Sequence, residues 1–305
     1  MKNEKLIFIM GPTATGKTDI AVNLAYGIGE IISVDSMQVY RLLNCGTAKP
    51  TKEQMRKVKH YLVDTVDPDY RFSAGDFKRM ALDAIDKILG KGKIPFLVGG
   101  TGLYFRAIES GLIDAPPADV KYREQLYEEE KKEKGILHKK LMKIDIESAQ
   151  KIHQNDLVRI VRALEVHHLT GVPFSKWIKI SSPKRFTILK IGITMDRSLL
   201  YSRIERRCYR MLECGLGKEV VNLLNMGYDE RYPSMKGLGY SHFINYLKGC
   251  NSYNETVRQF IRDTKRFAKR QFIWFKSDHD IKWYNPDEIE AIRSEIYNFI
   301  NNSTK

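Results

Sequence analysis

The chain has 305 residues, 43% hydrophobic and 29% charged, the balance of a soluble globular protein with room for one large domain or two smaller ones. Its 51 Lys and Arg against 37 Asp and Glu leave a net charge of +14, which attracts polyanions such as nucleic acid, phosphorylated substrates or an anionic membrane surface. The composition excludes a helical membrane span or a disulfide framework: the longest apolar runs, Leu6–Met10 and Pro95–Val98, fall far short of the roughly 20 residues a span needs, and Cys45, Cys208, Cys214 and Cys250 are scattered, with no C-x-x-C and no metal-ligand spacing.

The N-terminal MKNEKLIFIMG runs from a short apolar segment directly into a glycine-rich loop and lacks a signal-peptide cleavage pattern. With thiols that suit the reduced state, this predicts a cytoplasmic protein. Leu6–Met10 reads as a strand, residues 17–27 as a helix and Ile31–Val34 as a second strand. A helix over 76–90 is opened by a Ser73/Asp76 capping box and stopped by Gly90 and Gly92. Ile94–Val98 is a third strand, ending at GGTG. Short apolar strands alternating with helices argue for a parallel α/β sheet.

After the Pro116-Pro117 pair the composition shifts. Residues 118–170 are charged, helix-forming and nearly free of strand patterns. YREQLYEEEKKEKG (122–135) reads as a solvated helix, and Asn155 with Asp156 opens the more amphipathic LVRIVRALEVHHLTG (157–171). The expectation is a helical insertion over 115–186, closed by the loop SSPKR (181–185), within a discontinuous core of 1–114 and 187–305. Thr187–Thr194 returns the chain to the sheet, and the remainder reads as mainly helical.

Gly11, Pro12, Thr13, Ala14, Thr15, Gly16, Lys17 and Thr18 satisfy G-x-x-x-x-G-K-[ST] directly after a strand and at the start of a helix. The glycines let backbone N–H groups curl around phosphate oxygens. Lys17 adds a full positive charge to the partial charge of the helix start, and the Thr18 hydroxyl can hold Mg2+. The motif does not say whose phosphate is bound. Nucleoside triphosphate (ATP) is the default, and any diphosphate would fit.

In an open parallel sheet, ligands bind beyond the carboxyl ends of the strands. Three polar loops fall there: 11–18, Asp35–Tyr40 and GGTGLY (99–104). Asp35 ends a buried strand, so it is a metal ligand, a base or a cap. Thr101 either caps the following helix or faces the shared rim. Further on, VRQFIRDTKRFAKRQFIWFK (257–276) sets Arg258, Arg262, Lys265/Arg266 and Lys269 on one helical face, with Asp263 as its only acid. Phe260, Ile261, Phe267, Ala268 and Phe275 provide a packing side. This reads as a rail for a nucleic-acid backbone, and Arg159 and Arg162 add a second basic row.

Taken together, GPTATGKT, SVDSMQVYR (33–41), GTAKP (46–50), DPDYRFSAGDF (67–77), VGGTGLYF (98–105), NDLVRIVRALEV (155–166) and TGVPFS (170–175) resemble the ordered blocks of the tRNA dimethylallyltransferase (isopentenyltransferase) family. So do RSLLYSRIERRCYRMLECGL (197–216), KGLGY (236–240) and TKRFAKRQFIWF (264–275). The resemblance runs in family order over most of the chain. It implies a P-loop NTPase-like α/β core with a helical insertion that contacts the tRNA anticodon stem-loop. It also implies transfer of a dimethylallyl group from dimethylallyl diphosphate to N6 of the adenine 3′ of the anticodon, by a bacterial-type enzyme; no feature of the sequence asks for a dimer, so a monomer is expected.

By resemblance, Asp35 is the catalytic base, and Lys17, Thr18 and Arg207 occupy diphosphate positions, with Arg203 and Arg206 as close alternatives to Arg207. Thr18 would carry the magnesium ion. Asp35, Ser36, Met37 and Gln38 match tRNA contacts, as do Thr101, Arg123, Arg159, Ile160, Val161, Arg162 and Ala163. Two segments depart from the family pattern: LLNC (42–45), and Ser241-His242 where a Lys-Glu pair is usual. A small-molecule or nucleotide kinase accounts for residues 11–18 and Asp35 but leaves the basic helix unexplained. A non-catalytic RNA-binding NTPase leaves Asp35 without a role.

Overall fold

A computed structural model describes residues 4–111, 116–178 and 185–302. The first half alternates β1 (Glu4–Met10), α1 (Lys17–Ala25), β2 (Gly29–Val34), α2 (Lys52–Lys57), β3 (His60–Tyr61), α3 (Ala74–Leu89), β4 (Ile94–Gly99) and α4 (Gly102–Glu109). The Ser73/Asp76 capping box opens α3 as expected, with the Ser73 hydroxyl accepting from Asp76 N at 3.1 Å and the Asp76 carboxylate accepting from Ser73 N at 3.0 Å. The chain continues through α5 (Val120–Lys132), α6 (Ile136–Ile144), α7 (Ile146–Lys151), α8 (Leu157–Thr170) and α9 (Phe174–Ile178). It returns with β5 (Phe186–Ile193) and ends as α10 (Arg197–Glu213), α11 (Leu216–Asn225), α12 (Tyr240–Leu247), α13 (Tyr253–Lys276), β6 (Lys282–Tyr284) and α14 (Ile289–Asn301).

The strands form one six-stranded sheet, all pairs parallel, in the order β3-β2-β4-β1-β5-β6. Side chains of a strand alternate between faces. In β1, Leu6, Phe8 and Met10 pack with α3 and α4, while Ile7 and Ile9 pack on the other face with α1 and α14. Strands buried on both faces read as continuous apolar runs, which is why they stand out in the sequence. β3 and β6, of two and three residues, are too short to leave a periodic signal, and the C-terminal region holds this last strand as well as helices.

The chain divides into two compact units, Met1–Glu109 with Lys184–Lys305, and Ser110–Pro183. The second is helical and has its own core, including Leu126, Leu137, Leu141, Ile160, Val161 and Leu164. It starts directly after α4, ahead of the Pro116-Pro117 pair. α5 is largely solvated, as its composition implies, and Leu126 is its one buried residue. Of the loop SSPKR, only Arg185 falls within the described residues, where its guanidinium pairs with Glu4 and Asp86. In the first unit, α10–α13 enclose a further core that takes in Val39, Tyr40 and Leu43, the residues just beyond β2. This packing fixes where the segment after Asp35 lies.

Candidate active site

The loop 11–18 joins β1 to α1 at the carboxyl edge of the sheet. A Cβ at Gly11 would lie 2.3 Å from the Ile193 carbonyl oxygen, so only glycine lets the loop leave β1 beside β5. Gly16, at φ +89°, is the N-cap of α1 and offers no side-chain cap, which leaves first-turn N–H groups for an anion. Inside the loop, the Thr15 hydroxyl and the Lys17 Nζ both donate to the Pro12 carbonyl, at 3.0 and 2.5 Å. The Thr18 hydroxyl has no partner among the described residues.

Three charged groups converge here. Burial and the neighbouring Arg207 guanidinium push the Lys17 amine down to about 7, against the opposing pull of Asp35. Burial likewise lowers the Arg207 pKa, and Asp35 again opposes the shift. Two cations whose charges oppose one another, with Asp35 as a shared counter-charge, leave a local excess of positive charge beside the loop. The stripe Leu200, Ile204, Cys208 and Met211 buries α10 in the helical core, and this sets the direction of its other residues. An Arg203 nitrogen lies 3.6 Å from where a Gly16 side chain would begin, whereas Arg206 is exposed. Arg207 is the one whose charge acts on Lys17, and Arg203, one turn before it, approaches the loop at Gly16.

Asp35 fills one of the roles open to it, that of a cap, and keeps its second oxygen free. Its Oδ1 accepts from the N–H groups of Met37 and Gln38, at 2.8 and 3.2 Å, capping the turn that follows β2. Its Oδ2 has no hydrogen bond among the described residues. Ser36 is exposed. The Gln38 amide accepts from Ser33 Oγ at 2.8 Å and donates to the Ala48 carbonyl at 3.1 Å, holding GTAKP against the strand end. Met37 packs against the KGLGY turn, where a Cβ at Gly237 would meet its Cε at 2.4 Å. Thr101 is half-buried, its backbone N–H held by the Val34 carbonyl at 3.2 Å and its hydroxyl unpartnered among the described residues.

One residue that sequence reasoning passed over is Gln271 of α13. Its Oε1 accepts from Thr13 N at 2.9 Å and its Nε2 donates to the Gly100 carbonyl at 2.9 Å, so it joins two of the three rim loops. A lone glutamine in a basic helix carries no spacing signal.

In the helical unit, the residues expected to meet RNA divide into two groups. Ile160, Val161 and Ala163 are at most 1% exposed, so their side chains build the core of this unit and do not face a ligand. Arg123 pairs in a two-pronged fashion with the fully buried Glu165, 2.7 Å on each arm, and Arg162 pairs with the same carboxylate. Burial alone would raise the Glu165 carboxyl, yet Arg123, Arg162 and the Asp119 N–H together hold it below the usual range. Both arginines are therefore committed to internal support. Arg159 remains outward-facing, with a 3.3 Å pair to Asp156.

α10 and α13 flank an open groove of about 570 Å³ lined by Arg197, Arg258, Arg262, Lys265, Arg266 and Lys269, with Tyr201, Tyr209 and one acid, Glu205. Glu205 pairs with Lys265 at 2.9 Å, and Asp263 is shared by Arg262 and Arg266 at 3.2 Å each. One carboxylate serving two guanidiniums leaves the groove positive. Arg197 and Lys265 both stand over the Tyr201 ring, 5.1 and 5.8 Å from its centroid.

A parallel sheet whose β1–α1 loop carries G-x-x-x-x-G-K-T and leaves first-turn N–H groups uncapped, with a carboxylate that keeps one free oxygen at the next strand end, has the architecture of a phosphate-loop α/β protein. A family model described as IPP transferase matches residues 38–278. The chain is 46% identical to a tRNA dimethylallyltransferase of Acetivibrio thermocellus over 301 residues, covering 97% of this chain and 96% of that protein. It is 45% identical to one of Thermotoga maritima, covering 92% of each. Among solved structures, a tRNA isopentenylpyrophosphate transferase of Bacillus halodurans superposes with TM-score 0.75 at 38% identity, covering 99% of this chain and 98% of that one. A eukaryotic dimethylallyltransferase acting on tRNA superposes with TM-score 0.83 at 25% identity, covering 98% and 80%. The chain belongs to the IPP transferase family, that of the tRNA dimethylallyltransferases. The kinase alternative finds no support among these relatives.

Proposed function

We propose that this protein transfers the dimethylallyl group of dimethylallyl diphosphate to N6 of the adenine next to the anticodon on its 3′ side, forming N6-(dimethylallyl)adenosine and releasing diphosphate. The observation that supports the residue assignment best is the convergence of Lys17, Arg207 and Asp35 beside the 11–18 loop.

Adenine N6 is a weak nucleophile because its lone pair is delocalised into the ring. As the N6–C1 bond forms, the bond from C1 to the diphosphate oxygen breaks and its electron pair leaves with diphosphate. The N6 proton passes to the free Oδ2 of Asp35, whose other oxygen is occupied in holding the turn. The N–H groups of residues 11–18, Lys17 and Arg207, with Arg203 alongside, stabilise the charge that develops on the leaving group. Thr18 fits a magnesium role: its hydroxyl is unpartnered among the described residues, and these hold no cluster of three or more carboxylate, His or Cys ligands. An ion held by one hydroxyl, waters and phosphate oxygens is the arrangement magnesium favours. When bound there, magnesium neutralises part of the diphosphate charge.

On the RNA side, Ser36, Thr101 and Arg159 have the exposure or free donors to contact an extruded base or the backbone, and the α10–α13 groove suits phosphates. Extrusion of a stacked base costs a few kcal/mol, which these contacts offset. The proposed setting is the cytoplasm, with the protein acting as a monomer. Incubation with unmodified tRNA, dimethylallyl diphosphate and Mg2+, followed by nucleoside mass spectrometry, tests the reading. The expected product is N6-(dimethylallyl)adenosine at the position 3′ of the anticodon, and its absence overturns the proposal.

A further inference from the structure

Gln271 is 8% exposed and lies on the inward side of α13, the helix whose outer face carries the basic row. Its amide spans the start of the phosphate loop, through Thr13 N, and the GGTG loop, through the Gly100 carbonyl. The orientation of that amide is dictated by its partners: reversed, it would set N–H against N–H and oxygen against oxygen. The surrounding packing is built around this contact. A Cβ at Gly100 would lie 2.1 Å from Gln271 Nε2 and 3.4 Å from the Gly11 carbonyl oxygen, and one at Gly102 would lie 2.1 Å from Trp274 Nε1. The glycines of GGTG are therefore seats for two α13 side chains as much as turn formers. Next to Gly100 stands Thr101, whose hydroxyl is free among the described residues.

We infer that Gln271 is a positioning residue: through one amide it sets the spacing between the loop that holds the leaving group and the loop that presents Thr101 to the base. This inference rests on the proposed transfer reaction. Gln271 touches neither reactant and acts through Thr13 and Gly100. Misplacement of reacting groups by about 1 Å is enough to cost on the order of a hundredfold in rate.

The experiment combines Q271M, which keeps the volume and removes both hydrogen bonds, with Q271E, which keeps an acceptor for Thr13 and loses the donor to Gly100. Each is measured alone and with Thr101→Ala. The expected result is a fall in kcat of tenfold or more for both, with tRNA affinity within threefold of the parent. Thr101→Ala is expected to add little in either background, because the two residues act on one geometry. In the unsubstituted protein without ligand, the Thr13 amide is expected to exchange its hydrogen slowly, a readout that needs no variant to fold. Turnover within threefold of the parent, costs that simply multiply with Thr101→Ala, or exchange of the Thr13 amide at open-loop rates would each overturn the inference. If the parent protein itself transfers no prenyl group to tRNA, the proposed function has failed instead, and the exchange measurement still decides whether the bridge exists.

Discussion

At the residue scale, the proposed reaction gives the two oxygens of Asp35 different tasks. Oδ1 holds Met37 N and Gln38 N, and Oδ2, unpartnered among the described residues, is the oxygen proposed to take the adenine proton. Asp35→Asn keeps the turn and removes the base, so kcat is expected to fall by about 10² to 10⁴. Binding of tRNA should stay within a few fold; single-turnover transfer and filter binding check the two halves. Retained turnover would return Asp35 to a capping role alone. Lys17 offers a pH test. Its amine is charged below about 7 and loses that charge as the pH rises. Hence kcat/KM for the diphosphate donor, which reports the free enzyme, should decline above pH ~7, and Lys17→Arg should move that limb upward. The sign for stability is opposite. With the folded value below the unfolded 10.5, the folded protein sheds this proton first, so the ligand-free protein gains stability from this group between pH ~7 and 10.5. Lys17→Met should remove that gain in denaturant titrations. The residue types in G-x-x-x-x-G-K-T were legible because backbone curvature, charge and hydroxyl occur at fixed spacing. The split roles of the two Asp35 oxygens were not, because they depend on which backbone N–H groups the following turn brings into reach.

Among the elements, α13 does the most with the least warning. Its inward side buries Phe260, Ala268 and Phe275 and carries Gln271, while its outward side lines the groove with α10. The outward face was readable from spacing, since residues three and four apart share a helix face. The partner acids were not: Glu205 reaches Lys265 from α10, sixty positions away in the chain. Lys269 has no carboxylate partner among the described residues, whereas Arg262 shares Asp263. Reversing both charges, with Arg262→Glu and Lys269→Glu, should weaken tRNA binding. It should also lower the slope of log affinity against log salt by about one for each phosphate that is no longer neutralised. An unchanged slope would return the groove to an ordinary solvated surface. α8 carries the complementary lesson. The resemblance implied tRNA contacts for residues 159–163, yet the helix turns Ile160, Val161 and Ala163 inward, and only Arg159 of the stretch is both charged and free of the Glu165 network.

For the whole molecule, the proposed anion site belongs to the folded sheet and not to any segment of it, because residues 11–18, Asp35, Arg207 and Gln271 come from four separate parts of the chain. A ligand that binds only this assembled site must stabilise the fold by mass action, about 2.7 kcal/mol at a hundred times its dissociation constant. Magnesium with inorganic pyrophosphate is therefore expected to raise the melting temperature. Chelation of the metal should reverse most of the rise, and Thr18→Ala should blunt it; calorimetry or fluorescence melting checks each. No helix of the described residues is long and apolar enough to cross a membrane, in line with the absence of any long apolar run. By itself the sequence determined the parallel α/β core, the helical insertion, the phosphate loop and the basic helix. Each of these is written in local periodicity, in glycine placement or in charge density, and the ordered blocks carry the family resemblance. Tertiary structure alone decided the strand order, the burial of Ile160, Val161 and Ala163, the commitment of Arg123 and Arg162 to Glu165, the approach of Arg203 and Arg207 rather than Arg206, and the Gln271 bridge. These are contacts between residues far apart in the chain, and no local pattern encodes which distant atom will stand opposite a given side chain.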